Sequence, residues 1–361
     1  MKIQLYGQPN WNNEFIKMNL LEKAKNSGVE LQIEEISNWS AILKECVEAI
    51  PTVKIDKEEF LSKSSSESIN QYTKKVFGAI LDKENYGDVP VIIVPVDFSK
   101  ASEDAFIYAV LLAEKINAVV KIMHVYYPKV GTGNGCLTNG KPLESERREE
   151  LTQFLKRNTG YWLKESINAP LIDDEFFVGL PVRSIIEYST RFENSIIVMG
   201  TTGEGNAFKK RFGSISTEVA AKAKCPVLLV PPGVNNYTLS HICYALDDVK
   251  TDVDAAKVLA PIAKKFNSVI SLTHVSKEEN DYKWYDLVQY WKLIYSKTKL
   301  AVYRYNETDI NKGLQEFCTK NNVDLLVMTA RNHGFFHSLF NKSSTQESAL
   351  YTKIPLLILH K

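Results

Sequence analysis

Glycine and serine residues in the middle of the chain form a pattern that suits phosphate binding. Gly200 and Gly203 follow an apolar run, and Gly213 and Ser214 come after a further nine residues, at the start of a helical pattern. Glycine lets backbone N–H groups approach a ligand without a Cβ in the way. The first turn of a helix adds unpaired N–H groups and about half a positive charge. The spacing predicts a polyphosphate site, although the glycines taken alone also fit a tight turn with a flexible loop.

Composition limits the classes of partner and compartment. The chain has 361 residues with a net charge of +1, so we expect no attraction to nucleic acid or to an anionic membrane. The sequence contains no apolar run of the ~20 residues that a membrane span needs, and its first residues resemble a strand rather than a signal peptide. Its five cysteines are scattered, without CxxC or zinc-ligand spacing. We therefore expect a reduced, cytoplasmic protein.

The chain repeats itself. Residues 91–125 match residues 241–275 at a constant offset of 150, and residues 196–230 match residues 325–359 at an offset of 129. A Pro/Gly/Asn-rich linker at 231–237 separates the two copies. The sequence thus predicts two related units, residues 89–232 and 238–361, preceded by a different domain at residues 1–88.

Strand and helix patterns alternate within the first unit. Strands are predicted at 91–96, 119–125, 174–178, 195–199 and 227–230, with helices between them. This alternation is typical of a parallel α/β sheet wound on both faces, in which ligands bind beyond the carboxyl ends of the strands where the strand order reverses. Asp97, Val125 and Gly200 all lie at predicted strand ends, so we expect them to line one cleft.

The first unit resembles the ATP-binding branch of the universal stress protein family. The resemblance rests on Val94-Pro-Val-Asp-Phe-Ser99, His124-Val125, Gly179-Leu-Pro181, the pattern of Gly200, Gly203, Gly213 and Ser214, and Cys225-Pro-Val-Leu-Leu-Val230. It implies a Rossmann-like fold of the adenine nucleotide alpha hydrolase-like kind. It also implies that Asp97, after Pro95, and the backbone of Val125 contact adenosine. The residues implied to wrap the phosphates are Met199, Gly200, Thr202, Gly203, Gly213, Ser214, Ile215 and Ser216.

Some of these residues have alternative explanations. Thr202 stands where the family often has His or Arg, and the basic residues at 209–211 either compensate for that lost charge or form a solvated loop. Asp97 could instead cap the turn before the following helix. For His124 and its equivalent His274, a strand-end histidine satisfied by the backbone is favoured over a catalytic one.

The second unit lacks the glycine pattern. It keeps Asp247 and Ser343, but Thr329, Asn332 and Lys342 replace the three glycines. Side chains there would crowd a phosphate and restrict positive φ, so we expect a degenerate copy with a structural role. Because the family commonly dimerises through its last strands, residues 227–230 and 356–359 are predicted to pair as an intrachain pseudo-dimer.

Residues 1–88 show the order βαβαββα and an Ile-Pro-Thr-Val string at 50–53 that resembles the cis-proline strand of the thioredoxin fold. Where that family carries CxxC, the chain has Gln8-Pro-Asn-Trp11, and Cys46 is expected to be structural. Without a thiolate nucleophile, disulfide exchange is not available. The vacated groove could still bind a peptide of a protein partner or dock onto the two repeated units.

These features together predict an ATP-binding regulatory or sensor protein of the stress response, with one nucleotide per chain. Mg²⁺ is compatible with bound ATP, but no metal ligand and no catalytic residue can be assigned. The alternatives are a slow ATPase or phosphotransferase, which needs a base near the γ-phosphate, and a nucleotide-free scaffold.

Overall fold

The structure is a computed structural model, whose described residues form two β-sheets, one of four strands and one of ten. It describes residues 1–7, 11–45, 47, 51–55, 59–63, 69–83, 89–127, 141–165, 169–201, 213–234, 237–246, 252, 256–275, 289, 291–292, 295, 298–330 and 353–360. The predicted α/β class with parallel, Rossmann-like sheet structure is confirmed. Within the described residues, no helix is long and apolar enough to cross a membrane.

The four-stranded sheet belongs to the N-terminal part of the chain. Its elements are β1 (Lys2–Tyr6), α1 (Trp11–Asn26), β2 (Gln32–Ile36), α2 (Trp39–Lys44), β3 (Thr52–Ile55), β4 (Glu59–Ser62) and α3 (Ile69–Lys83). The strand order is β2-β1-β3-β4, with β1 parallel to β2 and antiparallel to β3. The element order is the predicted one. Residues 8–10, Cys46 and Ile50, on which the predictions about the redox motif and the cis-proline depend, lie outside the described residues.

The next nine elements alternate strand and helix. They are β5 (Val91–Pro95), α4 (Lys100–Ile116), β6 (Val119–Tyr126), α5 (Lys141–Glu165), β7 (Ile172–Val178), α6 (Pro181–Ser189), β8 (Ser195–Gly200), α7 (Ser214–Lys222) and β9 (Val227–Val230). Strands β5, β8 and β9 are near-continuous apolar runs, as expected for strands with helices on both faces of the sheet. Ile92 and Ile93, which point to opposite faces, are both fully buried.

The last part of the chain has a similar succession of elements. They are β10 (His241–Ala245), a 3₁₀ turn (Ala256–Val258), α8 (Leu259–Phe266), β11 (Val269–Val275), β12 (Lys299–Tyr305), α9 (Ile310–Lys320), β13 (Leu325–Thr329) and β14 (Leu356–Leu359). Across the large sheet the order is β12-β11-β10-β13-β14-β9-β8-β5-β6-β7. Each half therefore has the same internal order. The halves meet where β14 runs antiparallel to β9, with Leu357 opposite Leu228.

Strand β5 occupies the position that creates a cleft. It lies between β6 and β8 and is parallel to both. The chain continues from β5 to β6 on one side and returns to β8 on the other, so the strand order reverses between β5 and β8. Connections leave this point in opposite directions, which opens a crevice at the carboxyl edge of the sheet.

Candidate functional site

The structure brings three predicted site residues to one edge of the sheet. Val125 lies near the carboxyl end of β6, Asp97 follows β5, and Gly200 ends β8. The three strands are adjacent and parallel, so their carboxyl ends share one edge about 4.8 Å apart from strand to strand. Pro95 is the last residue of β5. Thr202, Gly203 and the basic triplet at 209–211 lie outside the described residues.

Hydrogen bonds at Thr201 join the end of β8 to the start of α7. The Thr201 N–H donates to the carbonyl oxygen of Val230 (3.1 Å), and the Gly213 N–H donates to the carbonyl oxygen of Thr201 (2.6 Å). The Ser216 hydroxyl donates to that same Thr201 oxygen at 3.3 Å and to the carbonyl oxygen of Gly213 at 3.1 Å. Thr201 and Gly213, which flank positions 202–212, are thus neighbours. The start of α7 is held against the end of β8.

The first turn of α7 has N–H groups to offer a ligand. Gly213 is the N-cap residue and provides no side-chain cap, and the first hydrogen bond of the helix runs from the Thr217 N–H to the Gly213 oxygen (3.0 Å). The N–H groups of Ser214, Ile215 and Ser216 precede that bond, so the helix itself does not satisfy them. Ser214 and Ile215 are exposed. This turn is therefore suited to an anion.

Two of the predicted phosphate residues turn their side chains away from the cleft edge. The Ser216 side chain is buried, with its hydroxyl occupied by the carbonyls of Thr201 and Gly213. Met199 is 6% exposed and its side chain packs in the hydrophobic core. Any contact of these residues with a phosphate must therefore come from their backbone groups.

Gly200 is required by packing within the protein itself. A Cβ at this position would lie 2.6 Å from the carbonyl oxygen of Ala101 and 2.9 Å from its Cβ. The first turn of α4 therefore approaches the end of β8 as closely as a glycine permits. The sequence pattern suggested ligand approach as the reason for this glycine, whereas the structure gives helix–strand contact as a sufficient reason.

Ser99 caps α4, and Asp97 caps the turn just before it, as the alternative explanation of Asp97 predicted. The Ser99 hydroxyl oxygen accepts from the Ser102 N–H at 3.2 Å. Asp97 Oδ1 in turn accepts from the Ser99 N–H (3.1 Å) and from the Ser99 hydroxyl (2.6 Å). The Asp97 residue is exposed, so its carboxylate borders the cleft edge while it supports the capping residue.

Phe98, between these two residues, adopts an unusual backbone conformation that the sequence analysis did not predict. Its φ is +66°, in the left-handed region. This conformation costs a non-glycine residue roughly 1–2 kcal/mol. The Phe98 ring stacks on the His124 ring, with centroids 4.4 Å apart and planes 26° apart. Sequence alone offers no signal for this bend, because the stack that accompanies it forms only when the end of β5 lies beside β6.

His124 is satisfied by the backbone, as the sequence analysis favoured. Its Nδ1 lies 2.7 Å from the carbonyl oxygen of Val96. A carbonyl can only accept, so Nδ1 carries the hydrogen. His274 makes the equivalent contact with the Leu246 oxygen at 3.1 Å. The recurring histidine thus links the ends of two neighbouring strands.

Burial lowers the pKa of His124, and Arg147 adds to this, while the hydrogen bond to Val96 and the carboxylates of Glu150 and Asp97 oppose it. A histidine whose folded pKa lies below its unfolded value of about 6.5 must be neutral for full stability. We expect the free energy of unfolding to be unaffected by His124 above pH 6.5 and to fall as the pH decreases below it. Urea denaturation from pH 8 to pH 5 measures this.

Because burial also lowers the pKa of His360, the control is the difference between the parent chain and His124→Gln. That variant should lose less stability between pH 7 and pH 5 than the parent chain. An identical loss in the two chains would show that His124 does not contribute.

The position equivalent to Gly200 is filled in the second half of the sheet. Thr329 replaces the glycine, and its Oγ1 lies 2.7 Å from the hydroxyl oxygen of Tyr244. The fully buried Tyr244 ring packs edge-on against Trp291 with centroids 5.3 Å apart. Asp247, Asn332, Lys342 and Ser343 lie outside the described residues. Thr329 thus places a side chain at the position where the first half of the sheet has a glycine.

Metal ligands are not grouped in the described part of the chain. No set of three or more His, Cys, Asp or Glu side chains there is placed to hold a metal ion. The site chemistry of the described residues therefore consists of backbone N–H groups, one exposed carboxylate and hydroxyls.

Comparison with known proteins identifies relatives of the first half. The universal stress protein family matches residues 90–231. A universal stress protein of Methanocaldococcus jannaschii is 30% identical over 142 residues, which are 38% of this chain and 80% of that protein. The stress response protein NhaX of Bacillus subtilis is 27% identical over 159 residues, covering 38% of this chain and 96% of that protein.

The fold comparison extends further along the chain. The crystal structure of a universal stress protein from Archaeoglobus fulgidus aligns with a TM-score of 0.58 at 19% identity. The alignment covers 75% of this chain and 96% of that one. At this identity the similarity concerns the fold, and it includes more of the chain than the sequence matches do.

Proposed function

Because the chain belongs to the universal stress protein family, we propose that residues 89–232 bind ATP and that the protein acts as a nucleotide-dependent regulatory or sensor module in the stress response. The observation that carries this proposal is the junction of β8 and α7. The Gly213–Thr201 hydrogen bond holds a helix start without a side-chain cap at the carboxyl edge where the strand order reverses. Backbone N–H groups and the helix dipole at such a point favour a phosphate group.

The nucleoside would occupy the other side of the cleft. Asp97 is exposed beside the end of β5, and Val125 lies at the end of the adjacent β6. A carboxylate can accept hydrogen bonds from ribose hydroxyls, and the backbone of Val125 can pair with the edge of a base. The distance across two or three parallel strands, about 5–10 Å, suits a nucleoside extended toward α7.

Regulation is favoured over catalysis because the hydroxyls and the histidine near the cleft are already engaged in hydrogen bonds within the protein. The hydroxyls of Ser99 and Ser216 are both engaged in hydrogen bonds that support helix starts. His124 is buried, and its Nδ1 is used by the Val96 carbonyl. Any Mg²⁺ that accompanies ATP would be held mainly by phosphate oxygens and water, as is common for this ion.

We also propose that the two halves of the ten-stranded sheet are domains, residues 89–232 and 238–361, paired as an intrachain pseudo-dimer. Support comes from their identical internal strand order and from the antiparallel pairing of β9 with β14. The Thr329–Tyr244 hydroxyl contact supports a structural role for the second domain. The nucleotide would then bind in the first domain.

For residues 1–88 we propose a thioredoxin-like domain without redox activity that serves as a protein-binding module. The strand order β2-β1-β3-β4, with β3 antiparallel to β1, supports the fold. The replacement of CxxC by Gln8-Pro-Asn-Trp11 supports the loss of redox activity. Insulin-disulfide reduction by the full chain at a rate typical of thioredoxins would contradict it.

Isothermal titration with ATP tests the proposed function. We expect one site per chain, since the second domain lacks the glycines. Mass spectrometry of nucleotide released from the denatured, purified protein identifies what the site holds in the cell. Two equivalent sites would contradict the assignment to the first domain, and an absence of binding by ATP, ADP and AMP would favour the scaffold alternative.

A further inference from the structure

The left-handed bend at Phe98 lies between the two residues that organise the carboxyl end of β5. Phe98 has φ +66°, whereas the other described non-glycine residues with positive φ are asparagines. Asparagine tolerates this conformation through local hydrogen bonding, but an aromatic residue has no such compensation. A strained residue that persists beside a ligand cleft must be held there by its surroundings.

Aromatic contacts hold the bend in place. The Phe98 ring stacks on His124, as described above, and lies 5.9 Å from the ring of Phe154 on α5. His124 in turn packs against Phe176 of β7, with centroids 5.6 Å apart, and its Nδ1 is fixed by the Val96 carbonyl. The Phe98 ring thus contacts β6 and α5 directly, and β7 supports it through His124.

The bend determines where the Asp97 carboxylate lies. Because the chain reverses at Phe98, Asp97 Oδ1 reaches both the N–H and the hydroxyl of Ser99. Ser99 then starts α4. The first turn of that helix packs on Gly200 through Ala101. The bend at Phe98 therefore links Asp97, on the proposed nucleoside side of the cleft, through the start of α4 to Gly200 at the end of β8.

The chain contains its own comparison. At the offset of 150 residues, the second domain keeps Asp247 and His274 but has Asp248 in place of Phe98 and Val249 in place of Ser99. The aromatic residue of the bend and the capping serine are lost in the same domain that lost the glycines. A purely structural stack would be expected to remain, because the histidine that supports it is still present.

We infer that Phe98 is a positioning residue for the nucleotide, whose left-handed bend, held by the stack on His124, pre-orients Asp97 toward the nucleoside. This inference rests on the proposed function. It extends that function by assigning part of the affinity to a strained residue that need not touch the ligand. Pre-organisation of this kind lowers the ordering cost of binding.

Two substitutions separate the bend from the ring. Phe98→Asn removes the ring but keeps a residue that adopts positive φ readily, whereas Phe98→Val removes the ring and introduces a β-branched residue that strongly resists it. We expect both variants to lose thermal stability because both lose the stack, and Phe98→Val to lose more because valine also resists the left-handed conformation. Titration with ATP should give Phe98→Asn an affinity within about threefold of the parent chain, and Phe98→Val an affinity at least about tenfold weaker.

Each outcome of the titration decides the inference. Equal affinity losses in the two variants would assign any effect to the ring and overturn the role of the bend, and unchanged affinity in Phe98→Val would overturn it as well. If Phe98→Val does not fold, Phe98→Ala replaces it, because alanine also disfavours positive φ. A parent chain that binds no nucleotide would overturn the proposed function and this inference together, whereas normal binding by the parent with equal losses would overturn the inference alone.

Discussion

Gly213→Val is expected to weaken ATP binding by about a hundredfold or more while leaving the fold intact. Gly213 has φ −63° and ψ 152°, a conformation that any residue adopts, so the backbone tolerates valine. The branched side chain would stand beside the N–H groups of the first turn of α7, where we expect the phosphates. Titration calorimetry measures the affinity, and thermal unfolding should show a loss of only about 1 kcal/mol from the poorer N-cap residue.

The matched control is the equivalent position in the second domain. Lys342 aligns with Gly213 at the offset of 129 residues, and Lys342→Val should leave the affinity unchanged. Similar losses at the two positions would mean that the site does not lie at the start of α7.

Gly200→Ala is expected to destabilise the protein by about 1–3 kcal/mol or more, because the added methyl group overpacks a tight contact. Its Cβ would lie 2.6 Å from the Ala101 oxygen and 2.7 Å from the Ala101 carbonyl carbon. These are backbone atoms of the first turn of α4, so relief requires movement of the helix or of β8. Urea denaturation should show a lower midpoint, and ATP binding should weaken as well because the two sides of the cleft move apart.

Gly213→Ala provides the control for this second prediction, since it adds the same methyl group at the other end of the loop without positive φ. It should lose only about 1 kcal/mol, from the poorer N-cap residue, and unfold at a higher urea concentration than Gly200→Ala. If Gly200→Ala is as stable as Gly213→Ala but binds no ATP, the glycine serves the ligand rather than the packing of α4.

The order of elements could be predicted from the sequence because buried parallel strands and amphipathic helices have different apolar patterns. The strand predicted at 227–230 has the observed bounds, and the one predicted at 195–199 ends one residue early. The apolar pattern predicts the first helix of this unit over 102–116, a start two residues late, because Ser99 is the cap and the helix begins at Lys100. Ends differ in this way because capping depends on side-chain geometry that apolar periodicity does not report.

The candidate site was also only partly predictable from the sequence. The sequence identified the glycine positions, and the structure brings Gly213 next to Gly200 through the hydrogen bond from the Gly213 N–H to Thr201. The sequence could not reveal that Gly200 is needed for the contact with Ala101, since the two residues are 99 positions apart. Nor could it reveal the left-handed bend at Phe98, which depends on a stack with a residue of another strand.

The sequence by itself determined the alternation of strands and helices, the internal repeat and the position of Asp97, Val125 and Gly200 at strand ends. These follow from local pattern, since periodicity and the offsets of 150 and 129 residues are visible without coordinates. Only the tertiary structure decided that the Ser216 hydroxyl meets the Thr201 carbonyl and that the Thr329 hydroxyl meets that of Tyr244. The physical reason is that each of these depends on atoms far apart in the chain, whose distances are set by the packing of whole strands and helices.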